Sequence, residues 1–363
     1  MFSVDMLPAG HGDALWIEYG DRDHPHRVLI DGGTGPTYDV LRARVASLPP
    51  DDRRFELMVV THIDADHIEG MIRLLQDEGL GMELGDLWFN GWQHLPLDVF
   101  APAQGEILSA ILAELDIPWN RAFDEGPVCM PEEGPLPTTE LEGGLRLTVL
   151  GPTPAELATL QMVWEREIRE AGLTPGATRT GLDLLYKSRR LRIPGVEFAV
   201  PAPTLDVEAL AIVEDESDGS EANASSITLL AEHDGRSVLL TGDAVHPVLE
   251  PGLNRLIAER DMEVLTVDAV KLPHHGSRRN VMAPSLKLIR SSQFLFSSNG
   301  AYYHHPDPEA VARVLVQEGE ERVLLFNYRT EENEVWDEPG LQERWRYRAV
   351  YPEAGTFGIR LDL

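Results

Sequence analysis

Apolar residues fall in short runs that end at polar clusters, a rhythm that predicts alternating strands and helices. Residues 14–19 and 27–30 are largely apolar and β-prone, and the Gly, Asp and Pro of the intervening GDRDHPH predict a turn joining two paired strands. The second run enters Asp31-Gly32-Gly33, where two glycines allow the backbone to turn sharply. A helix is predicted over 38–48, stopped by Pro49-Pro50. The run 55–61, FELMVVT, reads as a strand covered on both faces and stops at His62. Apolar positions 68, 71, 72, 74 and 75 then follow helical spacing over 68–78. The cluster His62-Ile63-Asp64-Ala65-Asp66-His67 therefore sits on a strand-to-helix turn, where α/β folds place their chemistry.

Between 84 and 222 the pattern loosens, and this stretch reads as an insertion in one domain spanning 1–363. Within it, 145–150 (LRLTVL) predicts a strand closed by Gly151-Pro152, and 155–171 a helix. It also carries the basic stretch Lys187, Arg189, Arg190, Arg192 and the acidic segment 214–221, EDESDGSE, expected as a mobile loop. Strands return at 227–231, at 237–240 before Thr241-Gly242-Asp243, at 264–272 before Pro273-His274-His275-Gly276-Ser277, and at 293–296 near Asn299. Helices are predicted at 247–260 and 307–318, and a closing strand over 356–363. No repeat of 20–50 residues is visible.

Composition narrows the functional classes. A chain of 363 residues, 43% hydrophobic, buries a substantial core without a disulfide. With 31 Lys and Arg against 61 Asp and Glu the net charge is −30, which disfavours a globally electrostatic nucleic-acid or anionic-membrane binder. The single cysteine, Cys129, excludes an in-chain disulfide and a Cys-rich zinc site, and reads as a small core residue in a reducing compartment. The first residues lack a basic segment followed by an apolar one, and no apolar stretch of about 18 residues occurs, so the expectation is a cytoplasmic protein with no membrane partner.

Three separate strands end in metal-capable clusters, and residues at the same end of neighbouring strands converge although distant in sequence. His62, Asp64, Asp66 and His67 offer two imidazoles and two carboxylates, a set suited to a divalent first-row ion, and the absence of thiolates argues against a closed structural zinc site. Asp243 supplies a carboxylate able to bridge two ions, and His274, His275 and His305 complete the donor set. Together these could hold two ions roughly 3.5–4 Å apart. His24, His26, His94 and His233 read instead as ordinary surface or core histidines. His11 borders the site between two glycines, and His246 begins a helix.

These residues carry a family resemblance. The segment T-H-I-D-A-D-H resembles the T-H-x-H-x-D-H signature of metallo-β-lactamase-fold hydrolases, with His62, Asp66 and His67 matching and Asp64 in place of the second His. Gly10-His11-Gly12-Asp13-Ala14, Leu29-Ile30-Asp31-Gly32-Gly33, Asn223-Ala224-Ser225-Ser226, Leu240-Thr241-Gly242-Asp243-Ala244, Pro273-His274-His275-Gly276-Ser277 and His305-Pro306 follow in order. They are similar to the branch containing the hydrolase domain of bacterial DNA-uptake competence channels. The resemblance implies an αββα four-layer sandwich with a dinuclear site at one edge. It places His62 and Asp64 on one ion, Asp66 and His67 on the other, Asp243 between them, and His274 and His305 as the remaining nitrogens. The family's usual His ahead of the bridging Asp is not evident; Asn223 lies near that point. A carboxylate at 64 lowers Lewis acidity and shifts preference from Zn²⁺ toward Mn²⁺ or Mg²⁺.

The expected activity is that of a metal-dependent hydrolase using a hydroxide held between two divalent ions, with Asp66, Asp243 and His275 as catalytic groups. His275 would protonate the leaving group or serve as a supporting partner. The resemblance and the cations Arg278 and Arg279 favour a phosphodiester, with Asn299 a further substrate contact, and the net charge favours a small phosphodiester or short nucleic-acid strand over a polynucleotide. Lys187 to Arg192 would extend an anion-binding rim or form a solvated loop. Alternatives are a carboxylic ester or lactone hydrolase, and a metal-stabilised binding or regulatory module without turnover.

Overall fold

The computed structural model describes residues 1–95, 103–170, 205–319 and 321–363. The basic stretch from Lys187 to Arg192 lies outside them. The first strands are β1 (Phe2–Met6), β2 (Leu15–Gly20), β3 (Pro25–Ile30), β4 (Arg54–Val59), β5 (Glu83–Trp88), β6 (Thr138–Glu140), β7 (Arg146–Gly151) and β8 (Thr228–His233). Then come β9 (Arg236–Leu240), β10 (Leu265–Thr266), β11 (Ala269–Lys271), β12 (Ile289–Arg290), β13 (Gln293–Phe296), β14 (Arg322–Phe326), β15 (Tyr347–Val350) and β16 (Ile359–Asp362).

One sheet runs β16-β1-β2-β3-β4-β5 and the other β15-β14-β13-β11-β9-β8-β7-β6. Each has an antiparallel part, with β1 to β3 in the first and β6 to β9 in the second, and a parallel part that carries the site, β3-β4-β5 and β9-β11-β13. Strand β5, which runs into the 84–222 stretch, ends one sheet, and β7 and β6 from within that stretch end the other.

The period-2 alternation of the strands decides the layers. Val238 and Leu240 of β9, Leu229 and Ala231 of β8 and Leu295 of β13 share a buried cluster with Val4, Ile17, Val28 and Leu57 of the first sheet, so the two sheets pack face to face. The intervening Leu239, Leu230, Phe294 and Phe296 face the other way, against Leu249, Leu253, Val311 and Leu315 of helices His246–Glu259 and Pro308–Leu315. Beneath the first sheet, Leu29 and Met58 meet Leu41, Ile68, Met71 and Leu108 of helices Thr37–Ala46, Ala65–Leu75 and Ala103–Glu114. The result is an αββα sandwich, the layer order the resemblance implied, with each buried Leu, Ile or Val contributing about 1.5–3 kcal/mol. Among the described residues, no helix is long and apolar enough to cross a membrane.

Two expectations are corrected. The single strand over 264–272 is two pieces: β10 pairs with β12 in a separate ribbon, and β11 lies in the main sheet. The break falls where the backbone changes partner: Val267 N donates to Arg290 O, Asp268 N donates to Ser237 O, and the Asp268 carboxylate accepts from Arg236 and from Ser237 N. The acidic segment 214–221 is a tethered strap rather than a free loop. Asp215 pairs with the buried Arg313 at 2.7 Å, and Asp218 accepts from Asn223 at 2.6 Å and Asn280 at 3.2 Å. Glu221 already belongs to a short helix, Glu221–Ala224.

Candidate metal centre

The carboxyl ends of β3 and β4 from one sheet and of β9, β11 and β13 from the other meet at one edge of the sandwich. Leu240, Lys271 and Leu295 are in register, so the turns that follow them emerge side by side. Gly242, with φ of 51° and packed against Thr61 and Ser226, makes the turn that delivers Asp243. A Cβ on Gly12 would lie 1.7 Å from the Asp66 carbonyl oxygen, so only glycine lets the loop carrying Asp13 reach the start of helix Ala65–Leu75. Asp31, His274 and His275 all hold left-handed backbone, with φ of 60°, 48° and 57°. Such conformations cost roughly 1–3 kcal/mol each and persist where the surroundings over-determine them.

Asp243 is the hub. Its Oδ2 lies 3.3 Å from His67 Nε2, 3.5 Å from His275 Nε2, 3.8 Å from His274 Nε2 and 3.9 Å from His62 Nε2. Asp64 Oδ2 is 3.6 Å from His62 Nε2, and Asp66 Oδ2 is 3.6 Å from His275 Nε2. His305 stands beside them, its ring 5.3 Å from that of His274. The expected donors at 62, 64, 66, 67, 243, 274 and 275 therefore gather in one place, with His305 on the border.

The opposite edge of each imidazole is held by an oxygen. His67 Nδ1 lies 2.8 Å from Asp31 Oδ2, His275 Nδ1 3.2 Å from Asp13 Oδ1, and His274 Nδ1 3.0 Å from Asn280 Oδ1 and 3.6 Å from Asp218. His305 Nδ1 is 3.5 Å from Asp307. His62 Nδ1 meets Thr61 Oγ1 at 3.0 Å, and that hydroxyl donates to Asp31 Oδ2 at 2.8 Å, so it can only accept from the ring. Carboxylate and amide oxygens likewise only accept, which assigns the Nδ1 hydrogen to each ring, so that loss of the Nε2 proton leaves an electron pair facing inward.

Electrostatics follow from this crowding. Burial pulls the His275 imidazolium down, but Asp243 and Asp13 outweigh it and push its pKa up to about 9. His67 is raised in the same way by Asp243 and Asp31 against its burial. Burial disfavours the Asp243 carboxylate, yet His67, His275 and His274 hold it well below the usual carboxylate range. Asp66 is held low by His275 and His67 against its own burial. His305 and His11 are lowered by burial.

This donor set fits divalent ions. The Nε2 atoms of His62, His67 and His275 and Oδ1 of Asp243 are buried without a hydrogen-bond partner, a costly condition that a cation at their focus relieves. Asp13 also lies in the buried group with His67, Asp243 and His275. Its oxygens, however, are taken by Lys271 Nζ at 2.5 Å, by the Ser297 hydroxyl and by His275 Nδ1, so it orients rather than ligates.

Three expected substrate contacts are not placed at the centre. Arg278 is exposed and pairs with Asp215 at 3.4 Å and Glu309 at 3.2 Å, and Arg279 donates to the Glu216 and Ser217 carbonyls. The acidic strap, absent from the sequence-level picture of that turn, has claimed both cations. Asn299 uses its side chain within its own turn, accepting from Ala301 N. Asn223 lies behind the donors, donating to Asp218 and 3.4 Å from His274 Nδ1. The histidines set aside stay outside: His94 packs edge-on against Trp119, His233 against Phe2 and Tyr19, His26 pairs with Glu56, His24 is exposed, and His246 bonds Ser285. Cys129 is half-buried, and its burial pushes the thiol up to about 11.

The supporting residues Asp13, Asp31, Asp218, Lys271, Asn280 and Ser297 were not identified by role in the sequence. Lys271 left a trace, a charge inside an otherwise apolar strand, which signals a buried partner.

The chain matches no protein-family model and no curated protein. Among solved structures it is similar, at 12% identity and a TM-score of 0.39, to the E377D mutant of CmlA β-hydroxylase, with all of this chain covered and 54% of that one. This chain thus spans about half the length of that protein. It is similar at the same identity and TM-score to Zn(2+)-bound PqqB from Methylobacterium extorquens, with both chains covered in full. The chain's own strand pairing defines an αββα sandwich, and its own side chains define a metal-capable centre spanning both sheets at one edge.

Proposed function

We propose that this chain is a metal-dependent hydrolase of small phosphodiesters. The observation that carries the reading is the Asp243 carboxylate ringed by four imidazole Nε2 atoms, each ring held from behind by an oxygen acceptor. Two donor pairs, His62 with Asp64 and His275 with Asp66, both abut Asp243 and suit two ions, for which the carboxylates favour Mn²⁺ or Mg²⁺ beside Zn²⁺. When bound, such ions supply Lewis-acid activation of water and of the scissile group.

The chain's own residues do the positioning. Asp31, Asp13 and Asn280 fix the rings so that the Nε2 lone pairs face inward. His275, fully buried with Nε2 between Asp243 and Asp66, acts as a donor in this reading rather than as an acid reaching a leaving group. A single phosphodiester charge suits a centre whose neighbouring guanidinium groups are already paired, whereas a polynucleotide backbone would meet the acidic surface. The same pairing of Arg278 and Arg279 favours one second reading, hydrolysis of a neutral carboxylic ester or lactone.

Turnover of bis-p-nitrophenyl phosphate, p-nitrophenyl esters and a short single strand, each with Mn²⁺ or Zn²⁺, separates the readings. Phosphodiester cleavage abolished by Asp243→Ala supports the proposal, and ester cleavage alone replaces it with the second reading. Tight metal binding without any turnover refutes both.

A further inference from the structure

Beside the metal centre stands a wall of aromatic rings that the donor set does not use. Tyr302 and Tyr303 lie on the turn between β13 and His305, and both are unusually open for tyrosines, 51% and 53% exposed. His11 stacks on Tyr302 with centroids 5.2 Å apart and planes at 23°, while Tyr303 stands edge-on to Tyr302 at 4.6 Å. Tyr303 in turn stacks on His305 at 5.9 Å and meets the edge of His274 at 6.2 Å. Through His274, whose Nε2 is 3.8 Å from Asp243, the wall is continuous with the donor cluster. Tyr303 meets the rings of His274 and His305, and His11 meets both Tyr302 and Tyr303, so the three rings flank the same mouth.

The wall is preorganised. Asn299 N donates to Gly10 O at 2.9 Å, joining the tyrosine turn to the His11 loop, and Gly10 N is held by the Tyr328 hydroxyl at 2.9 Å. His304, the next residue, is fixed to Glu332 at 2.9 Å. Rings presented in a fixed stack lose little freedom on accepting another ring.

We infer that His11, Tyr302 and Tyr303 form a stacking subsite for an aromatic ring, a nucleobase, carried by the same substrate whose phosphodiester enters the metal centre. This deepens the hydrolase reading and rests on it for the second half of the substrate. Stacking tolerates any base because every base has a π-face, and it supplies affinity without cations, which suits a site whose nearest guanidinium groups are paired with carboxylates and carbonyls. Tyr302 and Tyr303 are thus positioning residues for substrate, acting on KM more than kcat.

Calorimetric binding of adenosine 5′-monophosphate and of ribose 5-phosphate to the Mn²⁺-loaded protein isolates the base. The expected result is about tenfold or more tighter binding of the nucleotide. Tyr302→Ala and Tyr303→Ala should each shrink that ratio, and Tyr302→Phe should keep it. Equal binding of the two phosphates, including no binding of either, or a ratio unchanged in both alanine variants, overturns the inference. A parallel kinetic comparison of thymidine 5′-p-nitrophenyl phosphate with methyl p-nitrophenyl phosphate keeps the two readings apart. Turnover of both without nucleotide discrimination refutes the subsite alone. Discrimination in binding without turnover of either refutes the hydrolase alone.

Discussion

Asp31 governs two ligands at once, and replacing it by asparagine reverses the hydrogen-bond polarity behind both. Its buried carboxylate accepts from Thr61 N, from Thr61 Oγ1 and from His67 Nδ1, each at 2.8 Å, and Thr61 Oγ1 in turn accepts from His62 Nδ1. In Asp31→Asn the amide oxygen keeps the bond from Thr61 N, which leaves the NH2 group facing His67 Nδ1 and the Thr61 hydroxyl. His67 Nδ1 must then accept, and its hydrogen moves to Nε2, where it blocks ligation. The Thr61 hydroxyl, now receiving a hydrogen from the amide, directs its own to His62 Nδ1 and forces the same change there. Loss of one supporting partner costs 10–100-fold in metal affinity. With both rings affected, the expected loss is at least about 100-fold, or about 2.7 kcal/mol. Competition titration against a chromogenic chelator measures it, and thermal melts of the metal-free protein check that the isosteric variant is folded. Thr61→Val, which removes only the His62 support, should fall between wild type and Asp31→Asn. A folded Asp31→Asn protein that binds metal within threefold of wild type refutes the tautomer argument.

Other expectations follow from the same physical chemistry. His94 is held neutral by burial, its pKa lowered to about 4, while an unfolded chain takes up that proton near pH 6.5. Stability is therefore present above pH 6.5 and lost as pH falls toward 4, by about 3 kcal/mol. Urea unfolding at pH 7, 5.5 and 4.5 should show that loss in wild type and a correspondingly smaller one in His94→Leu. Lys271→Met leaves Asp13 as a buried charge and should destabilise by about 3–5 kcal/mol. Adding Asp13→Leu should recover most of it in denaturant melts while metal affinity stays impaired, because His275 loses its support. Asp64 is 43% exposed at its side chain, leaving room for an imidazole. Asp64→His should raise affinity for Zn²⁺ relative to Mn²⁺, and unchanged relative affinities in metal titrations contradict the hard-donor argument.

The polar clusters at strand ends were legible because parallel strands carry near-continuous apolar runs, and FELMVVT and VKLPHHGS announce by contrast where the run stops. The residues behind the ligands were not, since Asp13, Asp218 and Asn280 act through partners up to hundreds of positions away and carry no local period. Ser297, for example, reaches Asp13. Strand β1 hid its pattern because Ser3 and Asp5 are buried polar positions, satisfied in part by Arg360 from the far end of the chain. The partners of Arg278 and Arg279 were not legible, because charge alone says nothing of who answers it, and Asp215 and the 216–217 carbonyls lie more than sixty residues earlier.

The centre draws its groups from both halves of the sandwich: Asp31, His62 and His67 follow strands of one sheet, Asp243, His274 and His275 strands of the other. A cation seated among them would act as a clasp, and its binding energy would add to the cohesion of the whole molecule in proportion to the logarithm of its concentration. Chelation should therefore loosen the two leaves together, and selection for a held ion would double as selection for a durable scaffold.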